Sequence, residues 1–528
     1  MTREIIGKVL DKAKEDKFQI VSKKYFHARF VEVSIDQMVE GAKIIGEISS
    51  TETLNPYFDK PTDIRYLADD DETPTSKSLY IYNVESLAVV ENHKRHEISY
   101  PPIPGSNVFE ADESDMRVAL GLNDSGIDIG HLKDGRGLFL KINQDRLLRS
   151  HTAILGQTGS GKSYLAAKIA VELLKMKRSS EVPSRIASPV IFDSSGEYSG
   201  KKENVSQNKI ASVFNILNAN EFHFPLLNEK FLPILYEIYD FDDRQQSDLK
   251  YWFKNPDGES IVSNNPDVQS ELFKQSTAMG IIAKFHKLKI TSTDQFANAL
   301  EEHLKEYNKH KGTDTINIPY NIFSRMKALN LRIRKTVPDN DFLEYLSKGL
   351  IIDLSDYDSY EERQIAILIF LRQIYNYAKA VKLKNKVLIF IDEVHNYIPS
   401  VYKSFCKDEI LRIAREGRKY GLMLCLLSQR PRRVDPTALS QCGNTFIFKI
   451  QNADDKKHIF DSVSLPDKLL NASIARFNVG EVMVCGDIVN NPLICAVTPI
   501  DDSFLEAERK KSAEKHIGEI KALIDSGS

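Results

Sequence analysis

One eight-residue segment restricts the fold of this chain more than any other feature. Residues 156–163 read Gly-Gln-Thr-Gly-Ser-Gly-Lys-Ser and match the pattern GxxxxGK[ST] at every fixed position. The apolar run His151–Leu155 precedes the segment, and Lys162–Lys177 after it carries apolar residues at helical spacing. A glycine-rich loop between a strand and a helix presents its backbone amides, and the positive end of the helix, to phosphate groups. The sequence therefore predicts a phosphate-binding loop in an α/β domain.

The residue types in this loop predict a role for each position. Glycine permits the backbone conformations with which a chain wraps closely around phosphate oxygens. Lys162 is expected to neutralise the β- and γ-phosphates of ATP, and Ser163 to supply an oxygen ligand to Mg²⁺. The expected nucleotide contacts are Gly156, Gln157, Thr158, Gly159, Ser160, Gly161, Lys162 and Ser163.

Two acidic residues follow a second apolar run, Val387–Ile391. Ligands of open α/β sheets bind at the carboxyl ends of the strands, which is where Asp392 and Glu393 stand. We expect Asp392 to hold Mg²⁺ through water, and Glu393 to be the base that orients and polarises the attacking water. The alternative is a strand that simply ends in solvent, and the phosphate-binding loop in the same chain weakens it.

Two further strand ends offer candidate residues, each with a plain structural alternative. Gln429 follows the apolar run Gly421–Ser428 and is a candidate sensor of the γ-phosphate, or else a polar strand end without a role. Asp193 ends the run Pro189–Asp193 and is followed by Ser-Ser-Gly-Glu-Tyr. Its carboxylate is a candidate contact for the metal or its water network, and an ordinary turn is the alternative.

A basic cluster at residues 414–421, Ala-Arg-Glu-Gly-Arg-Lys-Tyr-Gly, precedes another apolar run. Phosphate-loop sites are often completed by an arginine that stabilises negative charge in the transition state. Arg415 and Arg418 are the candidates, and such an arginine would require an oligomer if it acts on a neighbouring subunit. The alternative is a basic helix end that interacts with its own dipole.

The order of apolar runs predicts two architectures in one chain. Short runs without intervening helices in the first hundred residues are typical of a small barrel or sandwich; they are Lys17–Val21, His27–Ile35, Ala42–Ile48 and Ser78–Val90. From about Gly121, apolar runs with little alternation predict strands covered on both faces, in a mostly parallel sheet flanked by helices. Two such runs add to those already named, Gly349–Leu354 and Thr445–Ile450.

The boundary between the two architectures is placed at the segment Pro101–Gly105. Residues 1–105 are expected to form an N-terminal β-barrel domain, and residues 106–500 an α/β ATPase domain. Residues 217–348 lose the strand signal and carry amphipathic stretches such as Asp294–Lys309, which predict an α-helical insertion. The charged residues 501–528 predict a helical tail.

The charge balance restricts how a polyanion could be bound. The net charge is -3, so any DNA contact must be local, such as a lined pore or a few loops. Lys201-Lys202 is one candidate contact, and Arg430, Arg432 and Arg433 form another. For both clusters, an ordinary solvated surface is the alternative.

Cysteine usage and hydropathy indicate the compartment. The five cysteines are scattered and form no CxxC pair, which argues against a zinc site or a disulfide framework and favours a reducing cytoplasm. The N-terminus lacks the apolar core of a signal peptide. No run approaches the roughly 18–20 apolar residues of a membrane span, so we expect no membrane association of the chain's own.

Taken together, the motifs resemble those of HerA, a hexameric DNA translocase of the HerA/FtsK group. The resemblance covers about residues 5–500 and is specific in the ATPase core. It rests on residues 151–163, Asp193–Tyr198 read as DxxGEY, Asp392-Glu393, Arg415–Gly421 and residues 428–431, Ser-Gln-Arg-Pro. The chain departs from the family at Ser194-Ser195, where a bulkier or proline-containing pair is common.

The resemblance implies a RecA-like P-loop ATPase core and a homo-hexameric ring with ATP at subunit interfaces. It implies double-stranded DNA in a central channel and an arginine finger acting in trans, with Arg418 as first choice and Arg415 as second. It also implies a separate effector, such as a NurA-type nuclease or, in antiphage defence, a nuclease or sirtuin-like protein. The competing hypotheses are a ring that mainly scaffolds and regulates an effector, and a conjugation or secretion motor.

Overall fold

The computed structural model describes residues 3–54, 78–133, 137–202, 206–219, 298, 301, 349–381, 386–462 and 474–511. The chain divides into two compact units. The first comprises residues 1–186, 425–432 and 436–501, and the second comprises residues 187–424, 433–435 and 502–528. The predicted helical insertion, from residue 217 to residue 348, lies almost wholly outside the described residues.

The described strands between Gly7 and Glu110 form a closed antiparallel barrel within the first unit. Its strands are β1 (Gly7–Val9), β2 (Lys17–Ser22), β3 (Phe30–Ser34), β4 (Lys43–Leu54), β5 (Leu79–Glu91), β6 (Lys94–His96) and β7 (Asn107–Glu110). Six of them follow the order β2-β1-β7-β3-β4-β5, and a further β2–β5 pairing closes the ring, while β6 pairs with β5 alone. Phe18 and Ile20 of β2 are buried and alternate with exposed neighbours, as one-sided strands require. The predicted barrel is confirmed, and its strand β7 follows the segment Pro101–Gly105.

The rest of the chain alternates helices and strands. In chain order they are α1 (Glu113–Leu120), β8 (Ile127–Leu132), β9 (Phe139–Ile142), α2 (Gln144–Leu147), β10 (His151–Leu155), α3 (Lys162–Ser179), β11 (Ser188–Asp193), β12 (Asn215–Asn218), β13 (Leu350–Asp353), α4 (Tyr360–Val381), β14 (Val387–Ile391), α5 (Lys407–Glu416), β15 (Leu422–Ser428), α6 (Pro436–Ser440), β16 (Cys442–Ile447), α7 (Ala453–Ser462), β17 (Glu481–Gly486) and β18 (Leu493–Val497). A last helix, α8, covers 502–511 within the predicted tail.

In the first unit, β10 is the centre of a mixed sheet. It pairs in parallel with residues 425–428 of β15 on one side and with β16 on the other. Beyond β16 the pairing becomes antiparallel through β17, β18, β8 and β9. The parallel part agrees with the sequence prediction, and the antiparallel extension is an addition to it.

In the second unit, four strands form a parallel array in the order β12-β13-β11-β14. Every residue of β11, β13 and β14 is buried, which explains why these strands read as continuous apolar runs. The register pairs Asp193 with Asp353, so two strands end at the same level in acidic residues. The α/β class predicted from the sequence is thus confirmed.

All five cysteines are buried free thiols, and burial raises the pKa of Cys406, Cys442, Cys485 and Cys495 to about 12. These thiols therefore behave as small core residues. In the part of the chain that the structure describes, no helix has the length and apolar character needed to cross a lipid bilayer.

Candidate nucleotide-binding site

The phosphate loop, residues 156–163, starts from a fully buried strand in the first unit. Every residue of β10 is buried, and the amide of Gly156 donates to the carbonyl oxygen of Ser428 at 3.2 Å. The next amide, of Gln157, donates to the Lys449 carbonyl oxygen at 2.9 Å. Both neighbouring strands of β10 thus continue to hold the chain as it enters the loop.

One close approach and one positive φ account for two glycines of the loop. A Cβ at Gly156 would lie 2.5 Å from the Cβ of Phe448, so a side chain there would displace this packing. Gly161 has φ 112° and caps the first turn of α3, without a side-chain hydrogen bond at the cap. Among the described residues, no protein hydrogen bond uses the amides of Thr158, Gly159 or Gly161. The loop therefore offers uncapped donors at the start of an 18-residue helix, which is a donor set suited to phosphate.

Lys162 and Ser163 are the first two residues of α3. Lys162 is buried, and its ammonium donates to the carbonyl oxygen of Gln157 at 2.9 Å. This bond holds the positive charge against the loop, and an ammonium carries three donors in all. Ser163 is a partly exposed residue, and its hydroxyl oxygen is the ligand type that Mg²⁺ prefers.

Gln429 lies at this loop. The Thr158 hydroxyl donates to Oε1 of Gln429, which directly follows β15. Since Thr158 stands at the exposed tip of the loop, the amide group of Gln429 is held beside the position expected for phosphate. This geometry agrees with the γ-phosphate sensor hypothesis.

In the second unit, Tyr198 links two of the predicted acidic residues. Its hydroxyl donates to Oδ2 of Asp392 at 3.2 Å, and its amide donates to Oδ2 of Asp193 at 2.9 Å. Tyr198 is fully buried, and Asp392 is only 4% exposed. The DxxGEY segment thus supports the candidate metal-binding carboxylate of Asp392 through its tyrosine.

The Asp193 carboxylate is occupied by its own loop. Oδ1 accepts hydrogen bonds from the amides of Ser195, Gly196 and Glu197, and Oδ2 from those of Tyr198 and Ser199. Burial raises the pKa of Asp193, and the bonds from Ser199 and Tyr198 oppose the shift. These hydrogen bonds favour a structural role for Asp193 in its turn over direct contact with a metal ion.

We therefore expect Asp193→Asn to destabilise the protein. The amide nitrogen of asparagine cannot accept the amides that an aspartate oxygen accepts, so buried donors would lose partners at about 1–3 kcal/mol each. The measurement is the midpoint of thermal unfolding, with hydrogen exchange followed over 194–199. The control is Asp358→Asn, at an exposed aspartate of the same unit. An unchanged midpoint and unchanged exchange would contradict the structural role.

Glu393 adopts a backbone conformation that is rare for a residue with a side chain. Its φ and ψ are 51° and 40°, in the left-handed region. The amide of Glu393 donates to Oδ1 of Asp392 at 2.8 Å, and its Oε2 lies 3.3 Å from Nδ1 of His395. His395 is buried and did not figure in the sequence analysis. The turn is thus fixed from both sides by polar groups.

The candidate arginine fingers lie at the end of α5, also in the second unit. Arg415 and Arg418 are both exposed, and Arg418 belongs to a 3-10 helix, Gly417–Tyr420. Nε of Arg415 donates to the Leu411 carbonyl oxygen of its own helix at 3.2 Å. This contact holds the Arg415 side chain against its own helix end.

The candidate DNA-contacting lysines are held in ion pairs. Nζ of Lys201 lies 2.9 Å from Asp353 and 2.6 Å from Asp356, and Nζ of Lys202 lies 2.8 Å from Glu197. The second cluster differs, because Arg432 forms only an exposed pair with Asp454 at 2.7 Å. Exposed pairs contribute little free energy, so the arginine cluster is the more available of the two.

Comparison with known proteins agrees with this arrangement. Residues 127–374 match the family model described as the central domain of helicase HerA. A probable helicase of Methanocaldococcus jannaschii is 24% identical, over 95% of this chain and 92% of that protein. DNA double-strand break repair helicases HerA of Sulfolobus acidocaldarius and Sulfurisphaera tokodaii are 26% and 27% identical. The matches cover 90% and 97% of this chain, and 92% and 97% of those proteins.

Among solved structures, VirB4 of Thermoanaerobacter pseudethanolicus is similar with a TM-score of 0.44 and 13% identity. That similarity covers 71% of this chain and 98% of VirB4. The plasmid coupling protein TrwB with an ATP analogue has a TM-score of 0.39 and 14% identity, over 72% of this chain and 91% of TrwB. Along most of its sequence this chain is thus similar to proteins named as helicases, HerA among them, and its residues 127–374 match the central domain of HerA.

Proposed function

We propose that this protein hydrolyses Mg-ATP to move along double-stranded DNA as a homo-hexameric ring. The observation that carries the proposal is the phosphate loop, whose amides at Thr158, Gly159 and Gly161 stand at the start of α3 with Lys162. The comparisons add that proteins similar along most of the chain are named as helicases.

The residue roles follow the chemistry of phosphoryl transfer. The loop amides and Lys162 hold the β- and γ-phosphates, and Gln429 detects the γ-phosphate from its place at Thr158. Ser163 and, through water, Asp392 would hold Mg²⁺, which would supply positive charge to the transferred phosphoryl group. Glu393 takes the proton of the attacking water, and Arg418 of a neighbouring subunit stabilises the negative charge.

The cellular location and the effector rest on the resemblance to HerA and on the sequence, whereas the choice of DNA contacts rests on exposure and ion pairing. We place the protein in the cytoplasm, coupled to a separate effector such as a NurA-type nuclease or, in antiphage defence, a nuclease or sirtuin-like protein. Among the candidate DNA contacts we favour the exposed Arg430, Arg432 and Arg433, since the ion pair of Arg432 with Asp454 is exposed, whereas Lys201 is paired with the buried Asp353. Repetition around a ring would produce a strong local positive field from a few side chains in each subunit.

We expect linear duplex DNA to stimulate ATP hydrolysis by the purified protein. The measurement is phosphate release with and without DNA, and Lys162→Ala, which removes the charge at the phosphates, gives the background rate. Hydrolysis that ignores DNA would favour the ring that mainly scaffolds and regulates an effector. Hydrolysis no faster than that of Lys162→Ala would contradict the ATPase assignment itself.

A further inference from the structure

A groove on the N-terminal barrel is lined by aromatic rings and lysines. Its volume is about 750 Å³, within the range of roughly 300–1,000 Å³ typical of ligand-binding clefts. Tyr25 lies at its surface with 51% of its area exposed. The ring of Tyr25 meets His27 at 4.7 Å and Tyr80 at 5.4 Å between centroids, both edge to face. Edge-to-face contact covers only one face of one ring in each pair, so ring faces stay available in this cluster.

The neighbouring residue holds this surface in place. The ring of Phe26 stacks on Tyr82 at 4.0 Å, and the amide of Phe26 donates to the Tyr82 hydroxyl at 2.9 Å. Tyr82 is 1% exposed and belongs to the barrel core, against which Phe26 packs. With Phe26 anchored, Tyr25 is presented outward on a fixed segment. Little conformational entropy would be lost when a ligand stacks on it.

Positive charge surrounds the aromatic cluster. Lys23 and Lys24 directly precede Tyr25, at a turn in which the Ser22 hydroxyl donates to the Lys24 carbonyl oxygen at 2.8 Å. Lys8 lines the same groove, as do the acidic residues Glu4 and Glu110. None of the ion pairs between described residues involves Lys8, Lys23 or Lys24, and all three are exposed. Their charges are therefore available to an anionic ligand.

We propose that this groove binds single-stranded nucleic acid, with a base stacked on Tyr25 and phosphates beside Lys8, Lys23 and Lys24. A single strand alternates flat rings with negative charges, and aromatic rings within a positive groove are the surface that such a strand recognises. A duplex fits less well, because its bases already stack on one another. This site rests on the proposed function on DNA and adds to it a place where an unpaired strand binds outside the ATPase core.

The test is equilibrium binding of a fluorescein-labelled oligothymidylate of about 20 nucleotides to the full-length protein, without ATP, measured by anisotropy. We expect Tyr25→Ala to raise Kd about 5- to 100-fold, the loss typical of one stacked base. Tyr100→Ala is the matched control, since Tyr100 is 45% exposed and lies outside the groove. Circular dichroism of both variants checks that the barrel is intact.

Two further measurements locate the strand. An oligonucleotide containing iodouracil should photo-crosslink to the tryptic peptide 25–29, which carries Tyr25, Phe26 and His27. The double variant Lys23→Ala/Lys24→Ala should reduce the slope of log affinity against log salt by about 1.4, at about 0.7 per phosphate contact. Crosslinks confined to other peptides, or equal binding by Tyr25→Ala and Tyr100→Ala, would overturn the proposal.

Three outcomes distinguish this site from an acidic-peptide site and from the proposed motor function. If polyglutamate of similar length displaces the strand as well as unlabelled oligothymidylate does, the groove recognises acidic peptides and the proposal fails. If strand binding depends on Tyr25 but ATP hydrolysis is absent, the motor function fails and the barrel site stands. If DNA stimulates hydrolysis and Tyr25→Ala binds normally, only the barrel site fails.

Discussion

Replacing Glu393 by glutamine is expected to lower ATP turnover by about 10²–10⁴-fold while ATP binding is retained. Glutamine keeps the size of the side chain and its capacity for hydrogen bonds, but it cannot accept a proton from water at neutral pH. The loss should therefore appear in kcat, with little change in the affinity for ATP. A residue that only shapes the loop would affect both quantities.

The backbone at Glu393 supports this expectation. A left-handed conformation at a residue other than glycine costs about 1–3 kcal/mol, and such strain is concentrated at functional sites. Here it occurs at the first turn after β14, all of whose residues are buried. The hydrogen bond from the Glu393 amide to Asp392 fixes the turn, and Nδ1 of His395 lies 3.3 Å from the Glu393 carboxylate. The strained residue thus follows the buried strand directly, with its carboxylate beside His395.

The measurement is steady-state phosphate release by Glu393→Gln, combined with titration of a fluorescent ATP analogue. Glu361→Gln is the control, because Glu361 is an exposed glutamate in the first turn of α4 in the same unit. Unchanged turnover by Glu393→Gln would contradict its role as base. Loss of nucleotide binding together with turnover would instead assign Glu393 to binding or folding.

The sequence was most informative where local pattern and fold coincide. The strand His151–Leu155 and the strand Val387–Ile391 have the predicted bounds, because buried parallel strands are continuous apolar runs. The helix after the phosphate loop starts at Lys162, as the motif requires. The four predicted barrel strands are present, since alternation and turn residues mark one-sided strands.

Features that depend on long-range pairing were beyond the sequence. The antiparallel strands β8 and β9 join β18, about 370 residues later in the chain, and no local pattern encodes such a partner. Likewise, Lys201 was a candidate DNA contact because it forms a basic pair with Lys202 in the loop after Tyr198. The carboxylates that hold it, at Asp353 and Asp356, come from a distant segment.

For two residues, Asp193 and Tyr25, a role could be assigned only from the three-dimensional structure. The sequence left Asp193 as either a metal contact or part of a turn. The five hydrogen bonds that backbone amides donate to its carboxylate favour the turn. The sequence did not predict a binding role for Tyr25, because one tyrosine after two lysines is an ordinary surface pattern. Its proximity to Tyr80, 55 residues later, is what makes it a platform.

Replacing Arg418 by alanine is expected to lower kcat by about 10³–10⁵-fold, the effect typical of an arginine finger. The turn that carries it is rigidly held. The carboxylate of Glu409 is buried between Arg372 and Arg412, and the Arg412 guanidinium lies 4.1 Å from the ring centroid of Tyr375. An exposed arginine at the end of such a braced helix is suited to reach a neighbouring subunit.

Contacts that hold α5 in place extend to its last residue, Glu416. The Tyr375 hydroxyl donates to Oε2 of Glu416 at 2.9 Å, and burial together with this bond raises the pKa of Tyr375 to about 12. The hydroxyl therefore remains a donor at physiological pH. A Cβ at Gly417 would come within 2.8 Å of the Ile413 side chain, so glycine lets the helix turn tightly into the segment that carries Arg418.

A mixing experiment tests whether the arginine acts between subunits. Arg418→Ala and Glu393→Gln should each be nearly inactive alone, and Lys419→Ala, at an exposed cation next to Arg418, should retain activity. If the finger acts in trans, a mixed ring contains interfaces in which one subunit supplies Glu393 and its neighbour supplies Arg418. Mixing the two inactive variants should then restore ATP hydrolysis. If the arginine acts on its own subunit, no interface in the mixture has both groups, and the mixture should stay as inactive as its components.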